Sequence, residues 1–192
     1  MYICERNAQL TIYGYTTDAS SYHANSVTIV HGLSQDQVSG NDLTATLRAH
    51  NAGLSVYNIN LENTRGPGRQ ALAISATNDQ QAYYGVKFIS HQDTVLANTG
   101  HQVYAHCYID GAVDFIFGQT ARVWFQSVDI RVKGQGFITA NGRDSEKNDG
   151  YYVINRSNIS AADGVNLPAG STYLGRPWRN YARGMHPLSS RP

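Results

Sequence analysis

Phe88-Ile89-Ser90-His91-Gln92-Asp93-Thr94-Val95-Leu96 is answered further along the chain by Tyr108-Ile109-Asp110-Gly111-Ala112-Val113-Asp114-Phe115-Ile116-Phe117-Gly118. The two aspartates Asp93 and Asp114 stand 21 residues apart, and each interrupts a run of β-branched, aliphatic and aromatic residues. Such runs read as short strands. A repeat of that length, built from short strands and polar turns, marks a solenoid. If one repeat is one turn of the solenoid, the two carboxylates stack on one face, about 4.8 Å apart as equivalent positions on neighbouring parallel strands are.

The same pattern extends in both directions. Asn60-Leu61, Phe88-Ile89, Tyr108-Ile109, Asp129-Ile130 and Asn158-Ile159 align as a recurring core, with aliphatic anchors Leu61, Ile89, Ile109, Ile130 and Ile159 spaced by 28, 20, 21 and 29 residues. Strands in a stack must be regular, whereas the loops joining them can lengthen on one side. An antiparallel sandwich would also give frequent strands, but it requires a tight hairpin at each interval. Asn141-Gly142 and Asp149-Gly150 are the best such turns, and both flank the polar run 143–149, which reads as one long solvated loop. The expected fold is therefore all-β: a right-handed, single-stranded parallel β-helix, its hand set by the crossover rule for parallel strands.

The 192 residues suit one domain with a sizeable core. Charged residues make up 15% and leave a formal charge of +1, which argues against a nucleic-acid partner. No run approaches the roughly 18 apolar residues of a membrane-spanning helix, and Met1–Leu10 has none of the parts of a secretory signal. Cys4 and Cys107 lie far apart in sequence, and a small buried side chain is the expectation for each rather than a disulfide. Asn155-Arg156-Ser157 and Asn158-Ile159-Ser160 are glycosylation sequons in a strand-like stretch. Gly66-Pro67-Gly68 places a turn just before Gln70, at the mouth of the candidate site.

Two stacked carboxylates favour one shared proton, so that one acid can attack while the other donates. An Asp closing a turn through its own side chain is the competing explanation for either residue alone. Like-charge repulsion and partial burial should raise Asp93, which fits it to act first as acid and then as base. Gln70 and Gln92, 22 residues apart, would put two neutral donors on the same face, suited to an oxyanion; alternatively they satisfy backbone groups inside the solenoid. Trp178 offers a flat ring after the fixed backbone of Pro177, or folds onto the core. The seven histidines show no metal-like spacing, His91 reads as structural, and no Gly-x-Ser-x-Gly elbow occurs.

Gln70-Ala71-Leu72-Ala73, Gln92-Asp93-Thr94, Gly111 to Gly118 and Leu174-Gly175-Arg176-Pro177-Trp178 resemble, in order, the signature blocks of the pectin methylesterases, most nearly the fungal type. That resemblance implies attack by Asp114 on the C6 methyl ester of a galacturonate unit in methylated pectin, with Asp93 protonating the departing methanol and Gln70 and Gln92 holding the oxyanion. It further implies that Arg176 hydrogen-bonds Asp114 and keeps it ionised and aimed, that Arg176 and Trp178 bind the substrate, Trp178 by stacking on a sugar ring, and that no cofactor or metal takes part. An exported monomer is expected. The resemblance runs from near residue 5 to residue 183, so residues 1–183 are expected to be a partial domain truncated at both ends. Residues 184–192, with two prolines and little β-propensity, are expected to be a tail foreign to the family. Three rival expectations remain: a pectin-binding fragment with weak or no catalysis, a polygalacturonase-like glycosidase that also uses paired aspartates, and a pectate lyase-like enzyme, which would need a cluster of acidic calcium ligands that does not stand out.

Overall fold

A computed structural model, which describes residues 1–185, shows a right-handed parallel β-helix. The first coil contains β1 (Tyr2–Ile3), β2 (Leu10–Tyr13) and β3 (Thr28–His31), and a single helical turn, α1 (Asn41–Thr44), leads to the second. The second coil has β4 (Leu47–Ala49), β5 (Leu54–Tyr57) and β6 (Asn60–Asn63); the third has β7 (Ile74–Ala76), β8 (Gln81–Tyr84) and β9 (Lys87–Ile89). The fourth follows with β10 (Val95–Ala97), β11 (His101–Ala105) and β12 (Tyr108–Gly111), and the fifth with β13 (Ile116–Gly118), β14 (Arg122–Gln126) and β15 (Asp129–Val132). The sixth comprises β16 (Gly136–Asn141), β17 (Tyr151–Asn155) and β18 (Asn158–Ala161), and the last described coil β19 (Thr172–Pro177) and β20 (Gly184–Met185). Each coil contributes its strands in rotation to three parallel sheets, β1-β4-β7-β10-β13-β16-β19, β2-β5-β8-β11-β14-β17-β20 and β3-β6-β9-β12-β15-β18.

Every strand alternates inward and outward side chains, and the inward ones form columns along the axis. One column corrects the sequence alignment: Leu61 pairs with Phe88, Phe88 with Ile109, Ile109 with Ile130 and Ile130 with Ile159. Phe88 is fully buried while Ile89, named as the anchor, points outward. A one-residue slip exchanges the two faces of a strand, and adjacent apolar residues such as Phe88 and Ile89 give the sequence no means of choosing. A second column stacks Tyr83 on Tyr104 at 4.7 Å and Tyr104 on Phe125 at 5.0 Å. The hydroxyls stay satisfied inside the core because Tyr83 donates to Oε1 of Gln81 and Tyr104 to Oε1 of Gln102. Both glutamines in turn donate to carbonyls of the preceding coil.

The corner between the second and third strand of a coil is made by one left-handed residue per turn, namely Asn58, Gly85, His106, Ser127 and Arg156, with φ between 49° and 60°. Only Gly85 is free of a Cβ there, so a ladder of cross-coil hydrogen bonds must hold the other four against their own preference. Asn58 donates to Tyr84, Gly85 to Ala105 and His106 to Gln126 in that role, each from backbone N–H to carbonyl at 3.0 Å.

Other expectations meet mixed outcomes. Cys107 is buried, as expected, but Cys4 is exposed, and neither forms a disulfide. Residues 143–149 do form a loop, yet Arg143 is only 8% exposed, because its guanidinium is folded back onto the carbonyls of Glu146, Asn148 and Tyr181. Of the segment 184–192, Gly184–Met185 pair in parallel with Tyr152 and Val153, and residues 186–192 lie outside the described residues. Among the described residues no helix is long and apolar enough to cross a membrane.

Candidate active site

The site is built on the outer face of the sheet that begins with β1, where the chain enters each strand from a tight turn. Asp93 and Asp114 both sit in that turn with left-handed backbone, φ 63° and 49°. Aspartate tolerates this region better than most residues because its side chain is short, but among the described residues neither carboxylate accepts a hydrogen bond from its own turn: Asp93 accepts from Asn41 and Asp114 from Arg176. Gln92 pairs with Val113, the N–H of Asp93 donates to the carbonyl of Val113, and Val95 pairs with Ile116. The two aspartates are thereby locked at equivalent places on neighbouring coils.

Arg176 approaches Asp114 from β19, two coils further on. Its register runs through Ala140, Phe117 and Leu96, all outward on the same sheet. Nε donates to Oδ1 of Asp114 at 2.8 Å and Nη2 to Oδ2 at 2.5 Å, a forked pair that fixes the carboxylate plane. Asp114 also raises the guanidinium above its ordinary value, chiefly through these hydrogen bonds. Two residues beyond, Trp178 is half-buried against Phe117, with the ring lying over Gly142, where a Cβ would meet it at 2.6 Å. One flank of the indole therefore packs on the protein.

Asp93 has a different environment. It is 7% exposed, and burial followed by the nearby Asp114 charge pushes its carboxyl up to about 7. Two effects oppose that rise: Nδ2 of Asn41 donates to its Oδ2 at 3.3 Å, and the Arg176 charge favours the ionised form. Gln70 and Gln92 follow one another on adjacent coils, where the N–H of Ala71 donates to the carbonyl of Gln92. Both are partly exposed, and Oε1 of Gln70 is buried without a hydrogen-bond partner among the described residues. The Gly66-Pro67-Gly68 segment does form a turn, with Arg65 and Arg69 on either side of it both paired to Asp36 at 2.8 Å. That double pair ties the turn to the 34–40 loop leading into Asn41.

Beneath the Asp93 turn lies a group that the motifs did not single out. Asp110 is buried; its Oδ1 accepts from the Ser90 N–H and from Nζ of Lys133, and its carbonyl accepts from the Thr94 hydroxyl. It thus grips the chain on both sides of Asp93. Burial raises the Asp110 carboxyl, with Lys133 opposing, and burial followed by Lys133 lowers His91. Among the described residues no three His, Cys, Asp or Glu side chains gather as a metal ion would need. Asn41, Asp110 and Lys133 carry no local sequence signal; Asp110 lies inside β12, where its side chain is buried.

Comparison with known proteins bears on the whole site. The family model described as Pectinesterase matches residues 21–189. A pectinesterase of Aspergillus aculeatus is 52% identical over 188 residues, covering 95% of this chain and 57% of its own length. One from Aspergillus niger is 50% identical over 187 residues, covering 95% and 56%. The crystal structure of the pectin methylesterase from Aspergillus niger in deglycosylated form superposes with a TM-score of 0.93 at 45% identity, covering 96% of this chain and 61% of that one. The chain spans about half the length of the curated relatives it matches.

Proposed function

The chain belongs to the pectinesterase family, and from that premise we propose that it hydrolyses the C6 methyl esters of galacturonate units in methylated pectin, with Asp114 as nucleophile and Asp93 as acid and base. One observation carries the reading: two aspartates at equivalent positions on adjacent coils, one clamped by a forked guanidinium and the other buried and raised to about 7. Environments that push two neighbouring carboxyls apart assign them opposite duties.

An Asp114 oxygen attacks the ester carbonyl, and the negative charge that develops on the carbonyl oxygen is met by the amides of Gln70 and Gln92. Neutral donors suit this task because they form no ion pair with the nucleophile beforehand. Collapse breaks the carbon–methoxy bond, and the Asp93 proton passes to the leaving oxygen, releasing methanol and leaving an anhydride between Asp114 and C6. Asp93, now ionised, takes a proton from water as it attacks that anhydride. The free acid departs, and Asp114 is restored as a carboxylate paired with Arg176. Trp178, with one flank packed on Phe117, presents the rest of its ring to the sugar. No cofactor enters this cycle, and the protein acts outside the cell as a monomer.

The test is methanol release from highly methylated pectin by the chain and by Asp114→Asn, which keeps the shape and removes the nucleophilic charge. Release by the chain and its loss in the variant support the reading. Unchanged release in Asp114→Asn refutes the assignment, and new reducing ends without methanol would make the chain a glycosidase instead.

A further inference from the structure

Asn41 touches the acid of the pair from the first position of α1, two coils earlier in the winding. Its Nδ2 donates to Oδ2 of Asp93 at 3.3 Å, and its Oδ1 accepts from Nε2 of Gln35. Gln35 is itself anchored, because its backbone N–H donates to the carbonyl of Gln70 at 3.1 Å and the neighbouring Asp36 is pinned by Arg65 and Arg69. Gly40, at φ 87°, turns the chain into α1 so that Asn41 faces the cleft. A carboxamide has one donor end and one acceptor end. With Gln35 engaging the oxygen, the NH2 end of Asn41 is left facing Asp93.

We propose that Asn41, oriented by Gln35, is a positioning residue that keeps Oδ2 of Asp93 an acceptor in both protonation states, so that Oδ1 alone carries and releases the proton. This rests on Asp93 being the acid of the proposed reaction. An oxygen already receiving an N–H has no room for a proton of its own on that side. In the protonated acid, Oδ2 is accordingly the carbonyl oxygen and Oδ1 the hydroxyl. During transfer the O–H bond at Oδ1 breaks, its electron pair stays on the carboxylate, and the proton forms the hydroxyl of methanol. In the second half the same oxygen receives the proton of water. A freely rotating acid would divide its proton between two oxygens and spend part of its time aimed away from the ester.

Titration of Asp93 followed by 13C-carboxyl NMR in the full chain tests the proposal, with Asp93→Asn identifying the resonance. Asn41→Ala should raise the midpoint by on the order of half a pH unit or more, because the anion loses a donor. Gln35→Ala should raise it in the same direction by releasing the Asn41 amide, and Asn41→Ser, which retains a donor, should restore it in part. A loop that merely packs over Asp93 predicts the opposite sign, since its loss admits water and lowers the midpoint. A fall or no change in Asn41→Ala overturns the proposal; if that variant does not fold, the sign in Gln35→Ala decides by the same criterion. In the wild type, the Asn41 side-chain amide should remain hydrogen-bonded on both sides of the midpoint in 1H–15N spectra, and release on the acid side also overturns it. Methanol release is measured separately. A chain with the expected titrations but no methanol release would refute the hydrolase reading while leaving the Asn41 pairing intact.

Discussion

Asp93 and Asp114 occupy equivalent positions on adjacent coils, with the residues before them paired as Gln92 and Val113 and those after them as Val95 and Ile116. Backbone symmetry alone would make the two acids interchangeable. Arg176 breaks the symmetry by forking onto Asp114 from two coils away, while Asp93 is left buried with one amide donor. The difference in environment between two chemically identical side chains therefore originates outside the turn that displays them.

That asymmetry should appear in stability as well as in catalysis. An acid raised on folding keeps its proton in the native state where the unfolded chain has released it, so native stability falls as pH climbs from the ordinary carboxylate value of about 3.9 to about 7. Asp93→Asn removes this contribution. Its melting temperature should match the wild type near pH 4 and exceed it near pH 8, at roughly 2–4 °C per kcal/mol for a chain of this size. Thermal melts across that range check it. Equal curves for the two proteins would mean that Asp93 titrates normally.

Arg176→Lys keeps the charge but replaces a planar fork by a point donor. One of the two hydrogen bonds to Asp114 is lost, and a hydrogen bond to a charged group is worth about 1.5–3 kcal/mol. The rate constant for methanol release should therefore fall by about tenfold or more, with little change in KM, if the pair orients the nucleophile as in the proposed reaction. Steady-state kinetics on methylated pectin separate the two. A rise in KM at constant kcat would place Arg176 in binding instead.

Phe88 and Ile89 put the corrected register to a direct test. Phe88 is fully buried between Leu61 and Ile109 and stacks edge-on to Tyr83 and Tyr104. Phe88→Ala should cost about 3–5 kcal/mol, whereas Ile89→Ala, on the outer face, should cost about 1 kcal/mol or less. Denaturant unfolding of both variants measures the difference. Comparable losses would restore the alignment on Ile89.

Why the repeat was readable and the register was not follows from what each depends on. Coil length shows in sequence because every turn must return to the same three sheets, so Asp93 and Asp114 could be stacked from their spacing alone. Inward and outward assignment depends on single alternations, and Phe88-Ile89 offers two apolar residues where the strand buries one. Within the site, Gln70, Gln92, Arg176 and Trp178 carried motif information, and the structure brings them to the same face. Asn41 could not be found that way. It reaches Asp93 across 52 residues through a loop whose course is set by the Asp36 pairs. Arg143 shows the same limit from the other side: its charge suggested solvent, yet the carbonyls of its own loop and of Tyr181 suffice to bury it.

Lys133 tests whether the support beneath Asp93 matters. Its ammonium lies 3.0 Å from Asp110, whose side chain is 6% exposed against 30% for Lys133. Lys133→Met fills similar space and leaves the Asp110 carboxylate with only the Ser90 N–H and the Tyr108 hydroxyl. Breaking a fully buried pair costs about 3–5 kcal/mol; with Lys133 nearly a third exposed, about 2 kcal/mol is the fitting expectation. Burial already raises Asp110 and Lys133 opposes that rise, so losing Lys133 sends the carboxyl higher still. An acid raised further on folding loses more stability as pH increases. The variant should thus melt closer to the wild-type temperature at pH 4 than at pH 8, because the deficit from the unpaired Asp110 carboxylate grows as pH rises. A deficit of equal size at both values would show that Lys133 acts by packing its stem, and that the charge on Asp110 plays no part in holding the turn.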